Sequence, residues 1–316
     1  MKGRRLALAA VLVAAAASAG CGDDEGAPAV GAGGEPGEGG ILTWALDGEV
    51  RVVDPLLAAN AAEELVASQI FEPLTEEASG PFGEPRDVPG LARSARPTAD
   101  PTIWRLDLRQ GVRFQDGTRF NASAVLANVD RWRASETART LLPAEFEADA
   151  PAPDQVRFIL AAPDPKLGER LSSPRLGIVS AAALGPDPAS SAAEPVAAEI
   201  AGTGAFELRE RDQDRLLLAR NTEWWGTDRG LGPALEQVEL TTERGSVRRA
   251  ELLISGTVQV ADGIGAGAAR RVEADPLLGT TPRGDRRWRG AERSVRGVDS
   301  GGGTPELNRV WLTRLR

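Results

Sequence analysis

The stretch from Trp104 to Trp132, WRLDLRQGVRFQDGTRFNASAVLANVDRW, constrains the fold more than any other part of this 316-residue chain. Trp104, Leu106 and Leu108 alternate with Arg105, Asp107 and Arg109, the two-residue period of a strand with one buried and one wet face. Gly111 ends that strand. Val112 and Phe114 predict the start of a second short strand, and Asp116-Gly117 is a pair that tolerates the left-handed dihedrals of a tight turn. Asn121 is placed to cap a helix, since its side-chain oxygen can accept from free first-turn amides. Val125, Val129 and Trp132 follow at helical spacing. The pattern is strand, turn, strand, turn, helix, which points to an α/β chain.

Weaker signals of the same kind run along the rest of the sequence. Ile41 to Leu46 predicts a first strand. Asn60 and Glu63 have the offset of a capping box, with Leu65, Val66 and Ile70 on one helical face behind it. Gln155 to Leu160, Leu216 to Leu218, Val238 to Leu240 and Val310 to Thr313 read as strands, and the Pro- and Ala-rich stretches 141–154 and 181–199 as loops. Ser246 is expected to cap a helix over Val247 to Ile254 that Gly256 closes. Gly263, Gly265 and Gly267 lack the G-x-G-x-x-G spacing of a dinucleotide loop and are read as a flexible turn.

The Trp104–Trp132 stretch resembles the W-x-(x)-L-R-x-G-V-x-F-x-D-G-x-x-F pattern of the family 5 extracellular solute-binding proteins, receptors of peptide-type and nickel-type ABC importers. Collinear similarities extend from about Ile41 to Ile264. Val53-Asp54-Pro55 with Ile70-Phe71-Glu72-Pro73-Leu74 is similar to the family's entry segment, and Pro89-Gly90-Leu91-Ala92 to its P-x-L-A element. Gly202-Thr203-Gly204-Ala205-Phe206 resembles G-T-G-P-(Y/F), with Ala205 in place of Pro. Arg220-Asn221 through Trp225-Gly226 resembles R-N-x-x-Y-W-G, and Ala250 to Val260 resembles A-x-x-L-x-x-G-x-(V/I)-D-V, with Gln259 at the Asp position.

This resemblance implies an α/β, type II periplasmic-binding-protein-like fold of the peptide-receptor kind. The implied organisation is first lobe over 41–74, insert domain over 75–200, first lobe again over 201–262, and the start of a second lobe over 263–316. Members of the family usually continue for about two hundred residues more, so the second lobe is expected to be largely absent. Since such receptors bury solute between two lobes, that expectation bears directly on ligand capture.

The first residues read as an address. Lys2, Arg4 and Arg5 precede an apolar run from Leu6 to Ala17 that is too short to span a bilayer, followed by Ser18-Ala19-Gly20 and the chain's one cysteine. Two readings are open for residues 1–20: a lipoprotein signal with acylation at Cys21, or an ordinary cleavage site beside a chance cysteine. No second cysteine exists to form a disulfide, and 21–40 is an acidic, Gly-rich tether suited to an anchored domain.

Composition excludes several function classes. The chain has 37 basic and 46 acidic residues, a formal charge of −9, whereas nucleic-acid affinity rests on an excess of Lys and Arg. The one basic cluster, Arg283, Arg286, Arg287, Arg289 and Arg293 around Trp288, is read as a solvated face. With no histidine, no tyrosine and one cysteine, the chain cannot build a Ser-His-Asp triad, a Cys-His pair or a His/Cys zinc site. The acidic run Glu145 to Asp149 lacks the D-x-D-x-D-G spacing of a calcium loop and is taken as loop charge. No enzyme activity, cofactor or metal is expected.

The expected role is therefore that of a substrate-binding lipoprotein of an ABC importer, outside the cytoplasmic membrane, with a peptide-like solute and permease subunits as partners. A non-transport surface scaffold of the same fold, or an inactive fragment, is the alternative. By resemblance, Leu56, Leu57, Ala58, Ala59 and Asn60 with Thr203 and Gly204 face the solute cleft, and Trp44 belongs to the same wall; each residue could equally be structural. The pair Trp224-Trp225 is open to a ligand-stacking or a core-packing reading.

Overall fold

The computed structural model describes residues 39–79, 85–192, 201–227, 232–233, 235–275, 278–280 and 290–293. The leader, Cys21, most of the tether, the basic cluster around Trp288 apart from Arg293 of the last strand, and the strand expected at Val310 to Thr313 lie outside the described residues. In chain order the elements are β1 (Ile41–Leu46), α1 (Ala61–Ile70), β2 (Thr75–Ser79), β3 (Pro85–Pro89), β4 (Ala92–Pro97), β5 (Ile103–Leu108), α2 (Ala122–Ala134) and α3 (Glu136–Leu141). They continue as β6 (Phe146–Ala152), β7 (Gln155–Leu160), α4 (Leu167–Arg170), α5 (Ala181–Leu184), β8 (Phe206–Arg211), β9 (Arg215–Arg220) and β10 (Gln237–Thr242). The last are α6 (Ser246–Ser255), β11 (Val260–Asp262), α7 (Ala266–Glu273), β12 (Leu278–Thr280) and β13 (Gly290–Arg293).

A seven-stranded sheet with the order β12-β13-β11-β1-β10-β9-β8 carries the first and last parts of the described residues. β1 lies between β10 and β11 and runs parallel to both; the outer pairings are antiparallel. Because side chains alternate across a strand, β1 serves two cores. Trp44 and Leu46 pack with Val66, Ala67 and Ile70 of α1, while Ala45 packs with Ala250 and Leu253 of α6 and with Ala268 and Val272 of α7. The sheet is thus covered on both faces, as parallel strands require.

Residues 92–160 form an antiparallel sheet of order β4-β5-β7-β6. The alternation in β5 is realised as expected: Trp104, Leu106 and Leu108 are at most 5% exposed and meet Val156, Phe158 and Leu160 of β7 and Val125, Val129 and Trp132 of α2. Burying each such aliphatic side chain contributes roughly 1.5–3 kcal/mol. On the other face Asp107 accepts from Arg105, Ser94 and Gln155. Those hydrogen bonds, that from Arg105 foremost, hold its carboxyl down at about 2. Asn121 caps α2 by accepting from Ala124 N at 3.0 Å, and Gly117 takes φ +82° in the Asp-Gly turn. β2 and β3 form a separate two-stranded sheet.

Several local expectations are corrected. Val112 to Phe114 is not a strand; one bridge, Arg113 to Arg119, joins the two arms of the turn. The stretch 141–154 is not all loop, because Phe146–Ala152 is edge strand β6 and Asp149 pairs with Arg157 at 2.5 Å. Likewise 181–192 contains α5 and a 3-10 turn. The glycine-rich turn after Gly263 gives way to α7, whose Ala268 and Val272, four residues apart, are buried beside α6. Gly245, not Ser246, occupies the N-cap of α6, and no side chain caps it; Gly256 closes that helix in the left-handed region.

Candidate functional site

In open α/β sheets, ligands lie at the carboxyl ends of parallel strands. β1, β10 and β11 end together, followed by Asp47, Glu243 and Gly263 respectively. Arg249 of α6, 3% exposed, ties two of these ends together. Its guanidinium donates to the carbonyls of Asp262 at 2.6 Å and Gly263 at 2.7 Å, and also to that of Glu243. Trp44 lies within this frame: it is 1% exposed and donates from Nε1 to Asp262 Oδ1 at 3.0 Å. Its indole packs on α1 and offers solute no open face in this conformation.

The loop after β1 leads to α1 and is held at several points. Asp54 caps a 3-10 turn over Pro55–Leu57, accepting from Leu56 N at 3.0 Å. Asn60 caps α1, accepting from Ala62 and Glu63 amides at 2.9 and 3.1 Å. The expected reciprocal half of a capping box is altered. Glu63, 2% exposed, reaches past Asn60 and accepts from the amides of Ala59 at 2.7 Å, Arg51 at 3.0 Å and Val52 at 3.1 Å. Leu56 and Ala58 are each 1% exposed, Leu57 is half-buried, and Ala59 and Asn60 are exposed.

Thr203 and Gly204 lie at the opposite end of α1. Gly204 N donates to Ile70 O at 2.8 Å. A Cβ on Gly202 would stand 2.0 Å from Ile70 O, and one on Gly204 2.3 Å from Gln69 O, so these glycines exist for close backbone approach. The Thr203 hydroxyl is buried without a partner among the described residues. Ten helical residues separate the ends of α1, about 15 Å at 1.5 Å per residue, so the structure does not bring the 56–60 loop and Thr203-Gly204 into one cluster. Gln115 fixes the turn after β5 against the glycine segment, donating from its amide N to Gly202 O at 2.9 Å and from Nε2 to Phe206 O at 2.8 Å.

Three motif segments meet in a second node. Glu72, 1% exposed, accepts from Trp224 Nε1 at 3.1 Å and Trp225 Nε1 at 2.9 Å, and the Arg109 guanidinium lies 4.1 Å from the Trp225 ring. Such stacking and charge-assisted bonding stabilise a join between segments, so the core-packing reading of the tryptophan pair is the one this arrangement supports. Sequence reasoning did not single out Glu72, Gln115 or Arg131 as functional, because their partners lie far away in sequence. A cavity of about 550 Å³ lies between α2, α3 and β6. Its floor residues Trp132, Ala138 and Leu160 are at most 5% exposed, so they offer a ligand little surface.

A covered mixed sheet with a parallel centre, carrying an antiparallel insert sheet, defines the class: a type II periplasmic-binding-protein-like fold. Solved structures agree. The chain superposes on DppA from Helicobacter pylori in complex with the peptide STSA at TM-score 0.63 and 22% identity, covering 78% of this chain and 51% of that one. It matches AppA from Bacillus subtilis in complex with a nonapeptide at 0.66 and 18%, covering 78% and 48%, and NikA from Brucella suis in complex with Fe(III)-EDTA at 0.65 and 24%, covering 77% and 48%. Residues 88–293 match the family described as bacterial extracellular solute-binding proteins, family 5, middle. The chain belongs to that family. It is 29% identical over 226 residues to the glutathione-binding protein GsiB of Escherichia coli, covering 69% of this chain but 41% of that relative. It therefore spans less than half the length of this relative and about half the length of the solved chains.

Proposed function

We propose that this chain binds peptides or similar small solutes outside the cytoplasmic membrane and delivers them to the permease of an ABC importer. The supporting observation is the family match over residues 88–293, which runs from the end of β3 through the β4-β5-β7-β6 sheet and both neighbours of β1 to β13. Peptide is preferred over a metal chelate because the chain contains no histidine, the commonest metal ligand, and because the names of several relatives and neighbours carry peptide or glutathione. Acylation at Cys21 would hold the domain at the membrane, with 21–40 as the tether. Within the first lobe, solute contact is assigned to Leu57, Ala59 and Asn60, which reach solvent, while the buried Leu56, Ala58 and Trp44 serve as structure behind them and Thr203-Gly204, at the other end of α1, have no part in that wall.

The scaffold alternative predicts an exposed apolar patch. Among the described residues the exposed large hydrophobics are Ile41 and Val247. Ile41 begins β1 and Val247 lies in the first turn of α6, on different elements, and two such scattered side chains lend that alternative no support. The test is a thermal-shift titration with pools of di- to pentapeptides and with glutathione. Solute at a hundred times its Kd stabilises the native state by about 2.7 kcal/mol, a rise of several degrees. A cooperative melt that no peptide moves would sink the receptor reading.

A further inference from the structure

The candidate solute loop is held from outside its own lobe. Asp54 caps the 3-10 turn through Oδ1 and presents Oδ2 to Arg131 of α2, whose Nη2 lies 2.5 Å away; the two side chains are 0% and 1% exposed. The same guanidinium donates through Nε and Nη2 to Ser191 O, both at 3.1 Å. One cation of the insert helix thus joins the first-lobe loop to the segment 188–192 that precedes the return to that lobe. A buried ion pair is a poor device for stability alone, since two apolar side chains of similar volume do as well or better. What a planar guanidinium adds is direction, because its fork fixes two acceptors at set angles. Glu63 secures the far end of the same loop through Ala59 N, and the residues assigned to solute contact lie between or beside these anchors.

We propose that Arg131 is a positioning residue for the solute-facing loop: through Asp54, the insert domain sets the placement of Leu57 to Asn60 and thereby solute affinity, without touching solute. This rests on the assignment of solute contact to Leu57, Ala59 and Asn60. Arg131→Met paired with Asp54→Asn removes the charges together, so that neither is stranded; Arg131→Lys keeps the charge and loses the fork. Hydrogen exchange in the full chain, followed by mass spectrometry, reads the amides of 56–60 against those of β5 and of Val66 to Ile70. The expected result is at least tenfold faster exchange confined to 56–60 in the double variant, with a Kd for the peptide pool found by thermal shift about tenfold weaker. Arg131→Lys should be intermediate. Unchanged exchange at 56–60, faster exchange spread evenly over the chain, or a loosened loop with unchanged peptide affinity would each overturn the proposal. Should the double variant not fold, Arg131→Lys carries the same comparison. If wild-type protein binds no peptide, the solute assignment fails, and the proposal's claim on affinity with it; the exchange data still decide whether Arg131 places the loop.

Discussion

The two ends of α1 are anchored by opposite means. At the N-terminal end, side chains do the holding: Asn60 caps, Glu63 gathers three loop amides, and Ala59 and Asn60 keep contact with solvent. At the C-terminal end, backbone meets backbone, and the Gly202 and Gly204 positions have no room for a methyl group. A side-chain anchor can be retuned by substitution, whereas a backbone anchor with no clearance tolerates nothing but glycine. The first end suits a surface open to adjustment, as the proposed solute contact requires; the second suits a fixed joint between the end of α1 and the segment entering β8.

The sharpest way to break this contrast is Gly202→Ala. A Cβ 2.0 Å from Ile70 O forces the backbone apart, and a loss of about 3–5 kcal/mol is expected in urea unfolding, at the severe end for a point change; a loss under 1 kcal/mol would show that the joint is elastic. Glu63→Gln comes next. It puts donors opposite donors and should cost about 2–3 kcal/mol, measured the same way, with exchange rising first at Arg51, Val52 and Ala59. Asp107 in the insert sheet serves as a control remote from α1. Its carboxyl titrates near 4 in the unfolded chain and at about 2 when folded, so its contribution is present above pH 4 and is lost as pH falls toward 2. Asp107→Asn should cost about 1–2 kcal/mol at neutral pH, its side chain being 20% exposed, and should flatten the stability curve between pH 4 and 2. The smallest effect is expected from Thr203→Val. Removing a buried hydroxyl that has no partner among the described residues should leave stability in urea unfolding level or raise it by less than about 1 kcal/mol, and peptide affinity should not change.

Legibility in the sequence followed locality. β5, α2 and the Asn121 cap could be read because their determinants lie within one or two turns of chain, and their apolar period is unbroken. β6 was hidden because its apolar positions after Phe146 are only alanines, Ala148, Ala150 and Ala152, alternating with Glu147, Asp149 and Pro151, residue types depleted in strands; Arg157 of β7 pairs with Asp149 from outside the segment. α7 was hidden because Gly265 and Gly267 are poor helix residues, and its stability comes from burying Ala268 and Val272 beside α6. The family motifs located the fold, yet many of their residues serve joints. Arg109 and Glu72 both meet Trp225, and Asp54 meets a partner 77 residues away. No local pattern announces such pairings.

The central place of β1 has a consequence for how the protein is made. Its strand is among the first described residues to emerge in synthesis, yet its neighbours are Gln237–Thr242 and Val260–Asp262. The insert sheet, by contrast, draws all four strands from residues 92–160 and can form while the rest is still to come. Contacts between distant segments form slowly, so the leading strand waits, one edge open until residue 242 has arrived and the other until residue 262. Were the chain exported unfolded, as the proposed location outside the cytoplasmic membrane requires, that delay would keep its first segment loose during passage and leave the sheet to close on the far side.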